Sequence, residues 1–131
     1  LMDRIDLHVE VTPVAFDDLS TKSSGESSNK IRPRVIIARN IQKDRFEKAG
    51  NIYCNSQMSS KDIANYCMLN SNGQTLLKLA MEKLNLSARA YDRIIKVSRT
   101  IADLGASKDI KNDHLAEAIQ YRSLDRDNWG S

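Results

Sequence analysis

The sequence predicts a mainly α-helical chain: a bundle of four or five helices, preceded by a linker and one orphan β-strand arm. Three observations predict it. Apolar residues recur at helical spacing in successive segments from about residue 30 onward. Capping residues stand at the starts of those segments, and Gly or Asn stands at their ends. Only Ile5–Val11 alternates apolar with polar residues as a half-buried strand does, and nothing else in the 131 residues offers it a partner.

The arm covers residues 1–16 and closes after Pro13. Residues 17–29, "DDLSTKSSGESSN", are rich in Ser and carry no apolar period, so they form a linker. Residues 30–131 form the helical domain. In its first helix Ile31, Val35, Ala38 and Ile41 share a stripe. Pro33 lacks a backbone donor and suits only a first turn, which places the start near residues 29–32. Gly50 is the expected stop. Ser59, with Asp62 three residues on, opens a short helix that turns Ile63, Tyr66 and Cys67 inward. Ser71 is the expected cap of the next, whose stripe is Leu77, Ala80, Met81 and Leu84, with Asn85 as left-handed terminator. Ser87 caps the strongest helix, Ala88–Leu104, whose apolar face holds Tyr91, Ile94, Ile95, Ser98, Ile101 and Ala102, and Gly105 ends it. A last helix from about Asp113 to Arg122, capped by Asn112, turns Leu115, Ala118 and Ile119 inward. The tail is polar apart from Trp129.

Composition narrows the function. Hydrophobic residues make up 40% and charged residues 28%, enough for a packed core and too apolar for general disorder. A net charge of +3 permits a nucleic-acid partner without arguing for one. No apolar run approaches the ~20 residues that span a bilayer. Two cysteines make no disulfide framework, which fits a reducing cytoplasm. The chain begins with Leu, and a truncated end would explain a strand without a sheet.

No metal site is expected. His8, Cys54, Cys67 and His114 lack the close spacing that lets one turn present two ligands. Cys67 lies on an apolar helix face and reads as a small core residue. The phosphate-cradling G-x-x-x-x-G-K-[ST] motif is missing. Two basic faces remain. The helix over residues 30–48 carries Lys30, Arg32, Arg34, Arg39, Lys43, Arg45 and Lys48 against Asp44 and Glu47. It is either a solvated face or a strip that neutralises DNA phosphates, with Arg32, Arg34, Arg39 and Lys43 as its DNA-facing candidates. On the helix after Ser87, Arg89, Arg93 and Lys96 cluster away from the apolar side, and Asp92 can pair with Lys96 at i,i+4. Arg89 stands in the first turn, where the helix dipole gives a cation nothing. An anion arriving there would relieve the mismatch and meet free backbone N–H groups.

The stretches "MDRIDLHVEV", "GESSNKIRPRV", "NIYCNSQMS", "LNLSARAYDRIIKVSRTIADL" and "HLAEAIQYRSLDR" together closely resemble the C-terminal part of the magnesium-chelatase-like AAA+ ATPases, the ComM/YifB group. The likeness covers nearly the whole chain. It implies that the bundle is the lid that follows an ATPase core, and that Ile5–Val11 is the last strand of that core's sheet. "MDRID" resembles the segment with the arginine finger, so Arg4 would reach, in trans, the γ-phosphate held by a neighbouring subunit. "LSARAYDRI" resembles the sensor-2 motif, so Arg89 would touch nucleotide phosphate, with Arg93 in support. ATP and Mg²⁺ are implied for the full-length protein and none for this part alone, which lacks Walker A and Walker B and is not expected to hydrolyse ATP. Also implied are a homo-oligomeric, hexameric ring and action on DNA in recombination during natural transformation. The competing reading is a DNA-binding helical module built on residues 30–48. A plain protein-interaction bundle using Trp129 ranks last.

Overall fold

The computed structural model describes residues 4–13, 15–16 and 25–122. Five α-helices are present among them: α1 Ser28–Phe46, α2 Ser60–Tyr66, α3 Ser71–Leu84, α4 Ala88–Leu104 and α5 Asn112–Gln120. A 3₁₀ turn, Asn55–Gln57, lies between α1 and α2. The helix α4 is the axis, packing against α1, α2, α5 and the 3₁₀ turn, while α3 closes the bundle against α5. The core is aliphatic. Leu77, Ile94, Ile95, Ala102, Ile110, Leu115 and Ala118 are buried at its centre, with Phe46, Met58, Ile63 and Cys67 around them.

Local chemistry accounts for most of the helix ends. The Ser59–Asp62 capping box forms, with Ser59 Oγ accepting from the Asp62 N–H and Asp62 Oδ2 accepting from the Ser59 N–H. Ser87 Oγ accepts from the Ala90 N–H at 3.2 Å. Asn85 is left-handed, with φ 50° and ψ 53°. Two caps shift by one residue. Asn70, not Ser71, caps α3, its Oδ1 taking the Gly73 N–H at 2.7 Å, because asparagine is at least as good a cap as serine and stands one place earlier. Lys111, not Asn112, occupies the cap position of α5, where His114 Nδ1 accepts the Lys111 N–H at 2.9 Å.

The helix α1 departs further from expectation. It starts at Ser28, so Pro33 lies inside it. The Lys30 and Ile31 N–H groups both reach Ser27 O and seed the helix upstream of the proline. The carbonyl that Pro33 cannot serve belongs to exposed Asn29. Helical structure ends at Phe46, and Gly50 takes φ +81° only after an intervening turn. Only the second half of α1 is packed, through Ala38, Gln42 and Phe46. Ile31, Val35, Ile36 and Ile37 are exposed, so half of the expected apolar stripe is left uncovered by the described residues.

The arm is not a strand. Among the described residues no β-ladder is present, and Ile5–Val11 runs irregularly against its own bundle. A strand needs a neighbour for its N–H and C=O groups, and here individual bonds to the bundle take that role. The His8 N–H donates to Tyr121 O at 2.7 Å, Arg122 donates to Ile5 O, and Arg93 pairs with Asp6. His8 is buried while Ile5, Leu7, Val9 and Val11 are exposed, the reverse of a strand whose apolar face meets this bundle. Instead of pairing as a strand, the arm docks on α4 and the end of α5. Residues 17–24 of the linker, and residues 123–131 with Trp129, lie outside the described residues.

Cys67 is buried as expected, with its thiol 3.9 Å from Met58 Sδ. Burial pushes its pKa from 9.0 up to about 11. The folded thiol thus keeps its proton where the unfolded one loses it. The stability this gives is full below pH 9 and is lost as pH rises through 11. Urea denaturation across that window should show a steeper fall for the wild type than for Cys67→Ala, which carries no thiol there.

Candidate functional site

At the start of α4 the structure draws together residues from three separate stretches of the chain. Arg4 of the arm, Ser56 of the 3₁₀ turn, and Arg89, Asp92, Arg93 and Lys96 of α4 line an open hollow of about 390 Å³. The helix supplies its share through period alone. Residues 89, 92, 93 and 96 are spaced i, i+3, i+4, i+7 and form one face, while Ile94, Ile95 and Ser98 turn into the core. Ser87 takes one first-turn N–H, and the helix start leaves others without intrahelical acceptors beside Arg89.

Charge dominates the lining, with four cationic side chains against one carboxylate, that of Asp92. The expected Asp92–Lys96 pair is not made. Asp92 Oδ2 accepts from Ser60 Oγ at 3.2 Å, and Lys96 Nζ donates to Ser56 O at 3.1 Å. Each finds a nearer partner on the segment packed alongside. Arg93 pairs with Asp6 on the arm. Arg89 is exposed. A concave, donor-rich surface at a helix N-terminus is suited to bind an anion and to stabilise growing negative charge. Its lining is cationic apart from Ser56 and Asp92, and Asp92 accepts from Ser60.

The fit to an implied nucleotide can be tested on these donors. Guanidinium and ammonium groups suit phosphate oxygens and repel a metal ion. Among the described residues no group of three or more His, Cys, Asp or Glu side chains could hold a metal. The hollow therefore suits the phosphate part of a Mg–nucleotide complex and not its cation.

The second set of candidates lies on α1. Arg32, Arg34, Arg39 and Lys43 are all exposed. At about 100° per residue, Arg32, Arg39 and Lys43 fall within about 40° of one another, with Arg34 on the other side. Arg34 is also paired, 2.6 Å from Glu26. The basic strip thus reduces to three residues on one line.

Arg45 leaves the strip altogether. Its guanidinium turns inward to Asp103, with contacts of 2.6 and 2.8 Å, and to Asn55 Oδ1 at 2.9 Å. Asp103 is wholly buried and lies 3.3 Å from Arg99, whose other donors reach Ser107 O and Lys108 O. The Asn55 side chain donates to Asp103 Oδ2 and Thr100 Oγ1, and its backbone N–H donates to Gln42 Oε1. Burial lowers the Arg99 pKa, and Asp103 opposes that fall. This cluster fastens α1, the 3₁₀ turn and the loop after α4 around one carboxylate. The sequence did contain a signal for it. Asp103 sits in the last turn of α4, where the helix dipole disfavours an acid, so a cation had to be near.

No helix among the described residues is long and apolar enough to cross a membrane. The family model described as magnesium chelatase, subunit ChlI C-terminal, matches residues 25–122. The chain is 44% identical over 126 residues to competence protein ComM of Haemophilus influenzae, covering 95% of this chain and 24% of that protein. It is 38% identical over 127 residues to YifB of Escherichia coli and 37% over 126 to YifB of Salmonella typhimurium, again covering 95% of this chain and 24% of each relative. The chain thus spans about a quarter of the length of these curated relatives.

Proposed function

The chain belongs to the magnesium chelatase subunit ChlI C-terminal family, and on that premise we propose that it is the lid of an AAA+ ATPase motor. In this reading it couples ATP binding and hydrolysis in a homo-oligomeric, hexameric ring to the remodelling of DNA. Residues 30–131 are the lid, 17–29 the linker, and 1–16 the terminal segment of an ATPase core that lies elsewhere in the full-length protein, with residues 5–8 docked on the lid rather than paired as a strand. That core carries the Walker motifs and Mg²⁺. In this reading the setting is cytoplasmic and the process served is recombination of incoming DNA, which is supported by the H. influenzae relative being named a competence protein.

The observation that carries this reading is the shared hollow of Arg4 and Arg89. Two residues placed by resemblance, far apart in sequence, meet at one anion-suited surface. Their proximity also bears on how the proposed ring would be arranged. If Arg4 reaches the γ-phosphate held by a neighbour, then Arg89 of the same subunit approaches that same nucleotide. ATP hydrolysis builds negative charge on the transferred group, and a guanidinium held nearby in advance stabilises it without reorganising. Arg93 is the reserve cation, already neutralised by Asp6.

Arg89→Ala in the full-length protein should lower kcat for ATP hydrolysis about 10²-fold, the usual loss for one oriented donor to a transition-state charge. Thermal denaturation should be unchanged, because Arg89 is exposed. Full activity in that variant would remove the sensor assignment.

The DNA-binding module remains a second reading, favoured by the single line of Arg32, Arg39 and Lys43. It requires the chain itself to bind duplex DNA with a log–log salt slope near −2.7, from about −0.9 for each of three phosphate contacts. A fluorescence-anisotropy titration at several salt concentrations measures that slope, and a flat response ends this reading.

A further inference from the structure

The arm that carries Arg4 is held by the lid at three points, and the deepest is Arg122. Its side chain is the largest of the wholly buried ones, with 0% exposure. A guanidinium is costly to bury unless its donors are engaged. This one donates to the carbonyl of Ile5, the residue immediately after Arg4. Beside it, Tyr121 O takes the His8 N–H at 2.7 Å, and on α4 Arg93 pairs with Asp6. Residues 5, 6 and 8 are thereby fixed to the end of α5 and the face of α4, and Arg4 is set at the rim of the hollow that Arg89 lines.

Resting on the reading above, we propose that Arg122 is a positioning residue for Arg4. By clamping the Ile5 carbonyl it makes arm and lid one rigid unit, so a rotation of the lid carries Arg4 and Arg89 to the nucleotide together. Among the described residues the arm has no ladder to hold its shape, and its anchors lie on the bundle. Arginine suits this place because it keeps its charge when buried and carries a donor to the Ile5 carbonyl.

The test uses the full-length protein. Arg122→Gln should lower kcat for ATP hydrolysis about 10- to 100-fold, the scale of a reacting group displaced by about 1 Å, and should leave KM nearly unchanged. Amide exchange at His8 should quicken as the arm lifts. Combined with Arg4→Ala, Arg122→Gln should add no further loss, since a misplaced side chain that is already missing cannot be missed twice. Arg122→Lys, with one donor left for the carbonyl, should recover part of the rate. Losses that multiply in the double variant, or an undiminished kcat with the His8 amide exposed, would overturn the proposal. An undiminished kcat in Arg4→Ala alone would instead overturn the reading of the site. Should Arg122→Gln fail to fold, Asp6→Asn frees the same arm at an exposed position. The same absence of added loss with Arg4→Ala is expected, and multiplied losses overturn the proposal there too.

Discussion

Asp103→Ala is expected to destabilise the fold by about 3–5 kcal/mol, the range for removing one partner of a buried ion pair. The carboxylate is wholly buried between two guanidiniums, those of Arg45 and Arg99, and also accepts from Asn55. Its loss leaves two cations facing each other in a space from which water is largely excluded. Arg45 can swing out, as its side chain is 13% exposed, but Arg99, at 5%, has little room to follow. Native domains hold only about 5–15 kcal/mol in total. A loss of this size should lower Tm by more than about 12 °C, at ~4–8 °C per kcal/mol for a domain of this size. Thermal melts followed by circular dichroism, with Thr100→Ala as a milder control that removes one acceptor from Asn55, would check it. A change under about 1 kcal/mol would show that the pair contributes little to holding α1 against α4.

That cluster also marks the limit of what the sequence discloses. The helices were legible because their signals are local. Ser59 with Asp62, Ser87, Asn85 and the stripe of Ile94, Ile95, Ser98 and Ala102 act within one or two turns, and the structure uses each as read. What pattern alone does not show is which end of a long side chain stays in water. Arg45 reads as one more cation on a basic face until Asp103, 58 residues away, is placed beside it. The arm fails for a related reason. Alternation says that Ile5–Val11 has an apolar face but not which polypeptide covers it, and in this chain that face is left exposed while His8 turns in. The exposed Ile31, Val35, Ile36 and Ile37 of α1 tell the same story at the other side of the linker. Both fit the proposed lid, whose remaining contacts would be made with an ATPase core. The hollow was half legible. Arg89, Arg93 and Lys96 follow from helical period, whereas the arrival of Arg4 and Ser56 beside them depends on contacts that no local pattern encodes.

Arg4→Ala in the full-length protein is expected to reduce ATP hydrolysis by about 10³-fold or more, the range for removing an arginine that stabilises phosphoryl transfer in trans. The more searching experiment mixes it with Arg89→Ala. Arg4 and Arg89 of one subunit line one hollow, so both should face a single nucleotide held by the neighbour. Every interface in a ring assembled from the two variants then lacks one of the two groups, and the mixture should be no more active than its components. Were Arg89 instead directed at its own subunit's nucleotide, some interfaces would be whole. In those, the Arg4→Ala subunit holds the nucleotide with its Arg89 intact, and the Arg89→Ala neighbour supplies Arg4. Random equimolar assembly makes about a quarter of all interfaces of that kind, since a closed ring meets head to tail at each one. Activity rising to about that fraction of wild type would mean that the hollow does not act on one nucleotide. A flat response across mixing ratios ties the arm and the start of α4 to the same phosphate.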